Sequence, residues 1–158
     1  MSFRVSSIPQ RVADEVRVTM RSPGYGHPAH REVAKGTGPC RACLRPFQVG
    51  VDERILFTYQ PFSDEALPSP GPVFIHAEPC DRYEGSRVPD ELRAVPLVVE
   101  GFDSTGRSLG RYPVAGHDPE AAMTRMLFET GAEYLHLRHA QAGCFVARVD
   151  PAPVHEAV

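Results

Sequence analysis

The residues best suited to chemistry are cysteines and histidines at short spacings. Cys40-Arg41-Ala42-Cys43 is a C-x2-C pair led by Gly38-Pro39, and His76-Ala77-Glu78-Pro79-Cys80 is an H-x3-C pair. Zinc takes four nitrogen or thiolate ligands in a tetrahedron, and two short knuckles can supply two each. Residues 44–75 separate the pairs and contain a strand and a loop pattern able to bring them together. Cys40, Cys43, His76 and Cys80 are therefore the candidate metal ligands, with zinc as the candidate cofactor. Four protein ligands imply a closed, structural site; with His76 free, three cysteines and a water would make an open one. Three thiolates and a neutral imidazole would leave the zinc centre with one net negative charge, for Arg41 or Arg45 to offset. The competing reading makes these cysteines small buried apolar residues or reactive thiols.

A second group lies near the C-terminus, where Tyr134, His136 and Arg138 alternate with Leu135 and Leu137. The segments 132–139 and 143–149 read as a β-hairpin closed by a loop at 140–142. Pairing the apolar residues sets Leu137 opposite Phe145 and Leu135 opposite Ala147. The same register sets Arg138 opposite Cys144 and His136 opposite Val146, so Tyr134, His136, Arg138 and Cys144 share one face. A guanidinium there could clamp a carboxylate or phosphate, and a thiol beside it could act as a nucleophile. The candidate catalytic residues are thus Cys40, His76, His136 and Cys144, and the candidate substrate contacts Arg41, Tyr134, His136 and Arg138. The plainer alternative is a half-exposed sheet face with its polar side out. His27 and His30 read as loop histidines, His117 and His155 carry no assigned role, and Asp64-Glu65 and Glu129 with Glu133 read as solvated faces. Gly-rich phosphate loops, serine elbows and H-E-x-x-H are absent from the sequence.

Short elements must position these groups, since 16 prolines and 13 glycines punctuate the chain. Strands are expected at 3–8 (an edge strand), 54–60, 73–78, 97–102 and 108–114, besides the late hairpin. Residues 22–39 and 61–72 read as loops, and 90–94 as a single helical turn. The segment 11–20 fits either a helix, through Val12, Val16 and Met20, or a strand, through Val16, Val18 and Met20. The clearest helix is 119–130, with Asp118 as N-cap, Pro119 at its first position and Gly131 just past its end. The expected fold is α+β, a mainly antiparallel bent sheet or half-barrel with one principal helix. Residues 1–150 form one domain and 151–158 a C-terminal tail.

The 158 residues and ordinary apolar content, 42%, support a packed core. The net charge is −3, Lys35 is the only lysine, and the arginines are scattered. That pattern argues against a nucleic-acid partner. No apolar run reaches the length that spans a bilayer, and residues 1–10 show no secretory pattern, so a cytoplasmic location without membrane partners is expected. In a reducing compartment the cysteines favour metal, catalysis or burial over disulfides.

Four blocks taken together resemble a known family. They are Gly38-Pro39-Cys40-Arg41-Ala42-Cys43-Leu44, residues 50–62, residues 71–80, and residues 134–149. In order and wording they resemble DUF1203, a family of bacterial proteins of unknown function, over roughly residues 3–150. The resemblance implies that Cys40 with Arg41 recurs, as does His136-x-Arg138 followed by Gly143-Cys144. It also implies that the position of Cys43 is less regular. It thereby raises a rival site built from Cys40, Arg41, His136, Arg138 and Cys144, and it carries no reaction to transfer. Two functional readings follow. One is a small-molecule or anion-binding protein, or a small enzyme, with an Arg/His/Cys pocket around Arg41, His76, His136 and Arg138. The other is a zinc-stabilised domain acting in protein–protein interaction.

Overall fold

The computed structural model describes residues 2–61, 71–114 and 118–152. Most of the loop expected at 61–72, with Asp64-Glu65, lies outside those residues, as do His117 and His155. Among the described residues the chain runs β1 (Ser2–Ser6), α1 (Gln10–Thr19), β2 (His30–Val33), β3 (Glu53–Tyr59), β4 (Gly71–His76), β5 (Glu84–Gly85), β6 (Leu97–Phe102), β7 (Ser108–Pro113), α2 (Pro119–Thr130), β8 (Tyr134–His139) and β9 (Phe145–Ala152). A 3-10 turn at Asp90–Leu92 precedes β6. The class is α+β, mostly sheet, and every described strand pairing is antiparallel.

The single bent sheet and single principal helix are corrected. The strands divide between a six-stranded sheet, β5-β1-β9-β8-β6-β7, and a three-stranded sheet, β2-β3-β4. β1 is an inner strand between β5 and β9 rather than an edge, and β2 arises inside the segment read as loop. The segment 11–20 is a helix, α1, and the exposure of Val18 shows why. Val12, Ala13 and Val16 are buried, whereas Val18 is 84% exposed. A strand would have put Val16 and Val18 on the same face; the helical period separates them.

Each helix serves its own core. Val12, Ala13 and Val16 of α1 join Ile55, Phe57, Val73 and Ile75 of the small sheet, together with Cys40, Cys43 and Phe47. Met123, Met126 and Leu127 of α2 join Leu97, Val99, Leu135, Leu137 and Val149 of the large sheet. The α2 ends follow the sequence: Asp118 accepts a hydrogen bond from the Ala121 N–H at 3.1 Å, and Gly131 takes the left-handed conformation.

The late hairpin departs from the expected register. Leu137 pairs with Ala147, Leu135 with Val149, His136 with Arg148 and Arg138 with Phe145, with a bulge between Leu137 and Arg138. The loop is one residue longer than expected because Gly143, at φ 74°, completes the turn and donates to the His139 carbonyl at 2.7 Å. The bulge then turns Phe145 toward His136, whose ring it meets edge-on at 5.1 Å. The register that set Cys144 opposite Arg138 is thus corrected, and Cys144 packs with Phe145 in the small-sheet core.

Candidate metal centre

Three separate segments deliver the four donors. Cys40 and Cys43 lie in a tight turn in which the Leu44 N–H bonds the Cys40 carbonyl at 2.8 Å and the Cys40 N–H bonds the Arg45 carbonyl at 3.0 Å. Leu44 holds φ 61°, a left-handed conformation unusual for a branched residue. Its side chain is fully buried in the large-sheet core, while Cys40 and Cys43 belong to the small-sheet core. The turn therefore pins the two cores together. His76 ends β4, and its backbone N–H points at the Cys40 sulfur at 3.2 Å. Cys80 follows four residues later in the turn after β4.

The donor atoms of Cys40, Cys43, His76 and Cys80 all lie within 4.8 Å of one another and could hold a metal ion. Two separations carry the geometry: Cys40 Sγ to Cys80 Sγ is 3.9 Å, and Cys43 Sγ to His76 Nδ1 is 3.4 Å. A tetrahedron with Zn–S of about 2.3 Å and Zn–N of about 2.0–2.1 Å requires S···S near about 3.8 Å and S···N near about 3.6 Å. These two separations are close to those figures, and the remaining pairs lie within 4.8 Å.

The surroundings are built for a charged cluster. His76 presents Nδ1 to the cysteines and Nε2 to Asp52 Oδ2 at 3.4 Å. A carboxylate behind the second ring nitrogen fixes the tautomer and orientation of a ligating imidazole. Asp52 is itself held by the Gln48 N–H at 2.7 Å. The His76 ring packs on Phe47 with centroids 4.6 Å apart. Phe47 comes that close because residue 38 is glycine: a Cβ on Gly38 would meet Phe47 Cδ2 at 2.7 Å. Arg17, from α1, donates to the Cys80 sulfur and to the His76 carbonyl, both at 3.1 Å. Burial pushes the Cys40 thiol up, and hydrogen bonds from Cys40 and Cys80, helped by Arg45, hold Cys43 down as the thiolate.

The expected counter-charge is corrected in part. Arg45 serves Cys43, whereas Arg41 gives its donors elsewhere, Nε to the Phe145 carbonyl at 2.7 Å and Nη1 to the Pro39 carbonyl at 2.6 Å, while its charge still acts on Cys40. Arg17 adds a guanidinium at Cys80 that the sequence did not announce. Arg17 and Asp52 escaped sequence reading because neither neighbours a ligand in the chain. The one available signal was the unresolved period of 11–20, which as a helix puts Arg17 one position beyond buried Val16.

The remaining candidates form a different neighbourhood. Arg138 is buried, with Nε on Glu100 Oε1 at 3.0 Å and Nη1 on the Gly143 carbonyl at 3.1 Å. His136 is 1% exposed, packed among Phe102, Phe145 and Tyr134, and burial holds it neutral, its pKa pushed down to about 3. Tyr134 stacks on Phe102 and carries the Arg148 guanidinium over its ring at 4.0 Å. Cys144 is buried, its sulfur 3.7 Å from the Ala142 carbonyl. Arg41 and Arg138 meet the same hairpin backbone at Phe145 and Gly143, so they lie on one side of the domain. His27 and His30 are exposed.

A family model described as a protein of unknown function, DUF1203, matches residues 37–150. The chain belongs to the DUF1203 family. The matched span contains all four donors together with Arg45 and Asp52, while Arg17 precedes it. The DUF1203 resemblance noted in four sequence blocks is thus a membership, and it brings no reaction with it. Comparison with curated proteins and with solved structures finds no match. No described helix is long and apolar enough to cross a membrane.

Proposed function

We propose that this DUF1203 protein is a zinc-stabilised binding domain in which Cys40, Cys43, His76 and Cys80 hold one structural zinc ion. The convergence of the four donor atoms to within 4.8 Å of one another, with two pairs at zinc-like separations, carries this reading. Zinc fits the donor set better than magnesium or calcium, which prefer oxygen. Four protein donors leave no coordination position for water or substrate, so the metal serves the fold rather than a reaction. What it would join supports that role: the Cys40–Cys43 turn, the end of β4, the Cys80 turn and, through Arg17, helix α1. Partner binding would then use the surface that this clamp stabilises.

The small-molecule reading loses two members of its expected pocket. His76 belongs to the metal cluster, and Arg41 is occupied by two carbonyls. What survives of it centres on Arg138.

Cobalt(II) substitution tests the zinc reading. A closed site with three thiolates should give the strong ligand-field absorption of tetrahedral cobalt and sulfur-to-cobalt charge transfer, unchanged by added cyanide or azide. Weak octahedral bands, or bands that shift when those anions are added, would show an open site and defeat the structural assignment.

A further inference from the structure

The sulfurs of the metal centre are not equally shielded. Cys40 and Cys43 are buried, as is Cys144 outside the cluster. Cys80 is half-buried, in a turn whose Glu78, Pro79 and Asp81 are exposed. Of the four thiols it is the one best placed to meet a reagent from solvent. Its approach is electropositive, because Arg17 Nη2 donates to the Cys80 sulfur at 3.1 Å. A partly exposed sulfur beside a guanidinium is the setting in which cysteines react.

Two further features suit oxidation. The buried Cys40 sulfur stands 3.9 Å from that of Cys80. A disulfide bond is about 2.05 Å long, so the two sulfurs must close a gap of roughly 2 Å. The second feature is a donor left over at Arg17, whose side chain is 9% exposed. Among the described residues its buried Nη1 has no hydrogen-bond partner, since the Asp14 carboxylate stands 3.6 Å away. Nη1 shares a carbon with Nη2, which already holds the Cys80 sulfur. It is therefore on offer to an oxygen added to that sulfur, and accepting from it would remove the penalty of a buried, unpaired N–H.

We propose that Cys80 is a site of oxidation by hydrogen peroxide and that Cys40 resolves it, closing a disulfide that discharges the zinc. This rests on the structural-zinc reading, in which all three cluster sulfurs are thiolates and exposure decides which one reacts. The Cys80 thiolate attacks one peroxide oxygen: an S–O bond forms, the O–O bond breaks, and hydroxide leaves. Arg17 Nη1 holds the oxygen now on Cys80. The Cys40 thiolate then attacks the Cys80 sulfur: the S–S bond forms, the S–O bond breaks, and a second hydroxide leaves. The two thiolates give up two electrons, which reduce the peroxide. Cys43 and His76 remain, too few donors for a closed site.

The test treats the zinc-loaded full chain with hydrogen peroxide, with and without dimedone, a trap for sulfenic acid. Zinc release is followed with a chromophoric chelator, and the cysteines by tryptic mass mapping after alkylation. Cleavage after Arg41 separates Cys40 from Cys43, so the map names the partner. The bound zinc should be released as a Cys40–Cys80 disulfide forms, with any dimedone adduct on Cys80. Cys144→Ser should behave as wild type. Arg17→Ala, loaded to the same zinc content, should form the disulfide about ten-fold more slowly, as loss of a charge-assisted contact implies. Arg17→Lys should recover part of the rate. A loaded chain that keeps its zinc, or releases it without this disulfide, overturns the proposal. So does an adduct on Cys43 or Cys144, or an Arg17→Ala chain that oxidises at the wild-type rate or faster. A chain that cannot be loaded with zinc overturns the zinc reading itself, and this proposal falls with it.

Discussion

Asp52 and His136 show what single side chains do here. Asp52 stands behind His76 and orients its ring, a role whose loss typically costs about 10–100-fold in metal affinity. Asp52→Asn should therefore lower zinc affinity by that order in competition with a chromophoric chelator, while a saturated sample still holds one ion. Unchanged affinity would make Asp52 a bystander. His136 is a buried imidazole whose folded pKa, about 3, lies below its ordinary 6.5. Between those values the unfolded chain binds the proton and the folded chain does not, so stability is full above about pH 6.5 and falls as acid is added. The slope approaches about 1.4 kcal/mol per pH unit. His136→Gln should flatten the decline relative to wild type in urea melts between pH 6.5 and 4. Zinc-ligand protonation acts in both chains, so their difference isolates His136; equal slopes would refute the assignment.

Leu44 and the late hairpin show how elements are fixed. Leu44 pays for its left-handed backbone, about 1–3 kcal/mol, by burying its side chain in the large-sheet core. Leu44→Ala keeps the strain and forfeits the burial, at about 2–5 kcal/mol. Leu44→Gly forfeits slightly more burial but relieves the strain, so it should be no less stable than the alanine variant, contrary to the usual order of those residues. A glycine variant melting well below the alanine variant would contradict this. The knuckle was readable because C-x2-C and H-x3-C are local patterns, and the α2 caps were readable for the same reason. The hairpin register was not. Its apolar alternation is satisfied equally by Leu137 opposite Phe145 or opposite Ala147. A bulge that turns Phe145 toward His136 leaves no mark on the alternation. The helical nature of α1 was hidden by Val18, an exposed valine that completes a false strand pattern.

Among the described residues two cores are bridged by Leu44 of the Cys40–Cys43 turn and by β9, whose Phe145 joins one core and Val146, Ala147 and Val149 the other. The α+β class and antiparallel pairing follow from many short β-rich segments, but the division into two sheets depends on long-range packing that no segment announces. The proposed metal donors gather at the small-sheet core, where a bound ion would supplement the apolar packing of Ile55, Phe57, Val73 and Ile75. Chelation should consequently raise hydrogen exchange first in α1, β3 and β4, while β6, β8 and β9 retain protection. Uniform loss would mean that the cores are not separable. The most direct measurement is the metal content of the chain purified without a histidine tag, by plasma mass spectrometry. Wild type and Cys144→Ser should each carry about one zinc ion per chain, and Cys43→Ser close to none. Wild-type protein that stays metal-free in zinc-containing buffer, or a Cys43→Ser chain that keeps its full complement, would contradict the zinc centre.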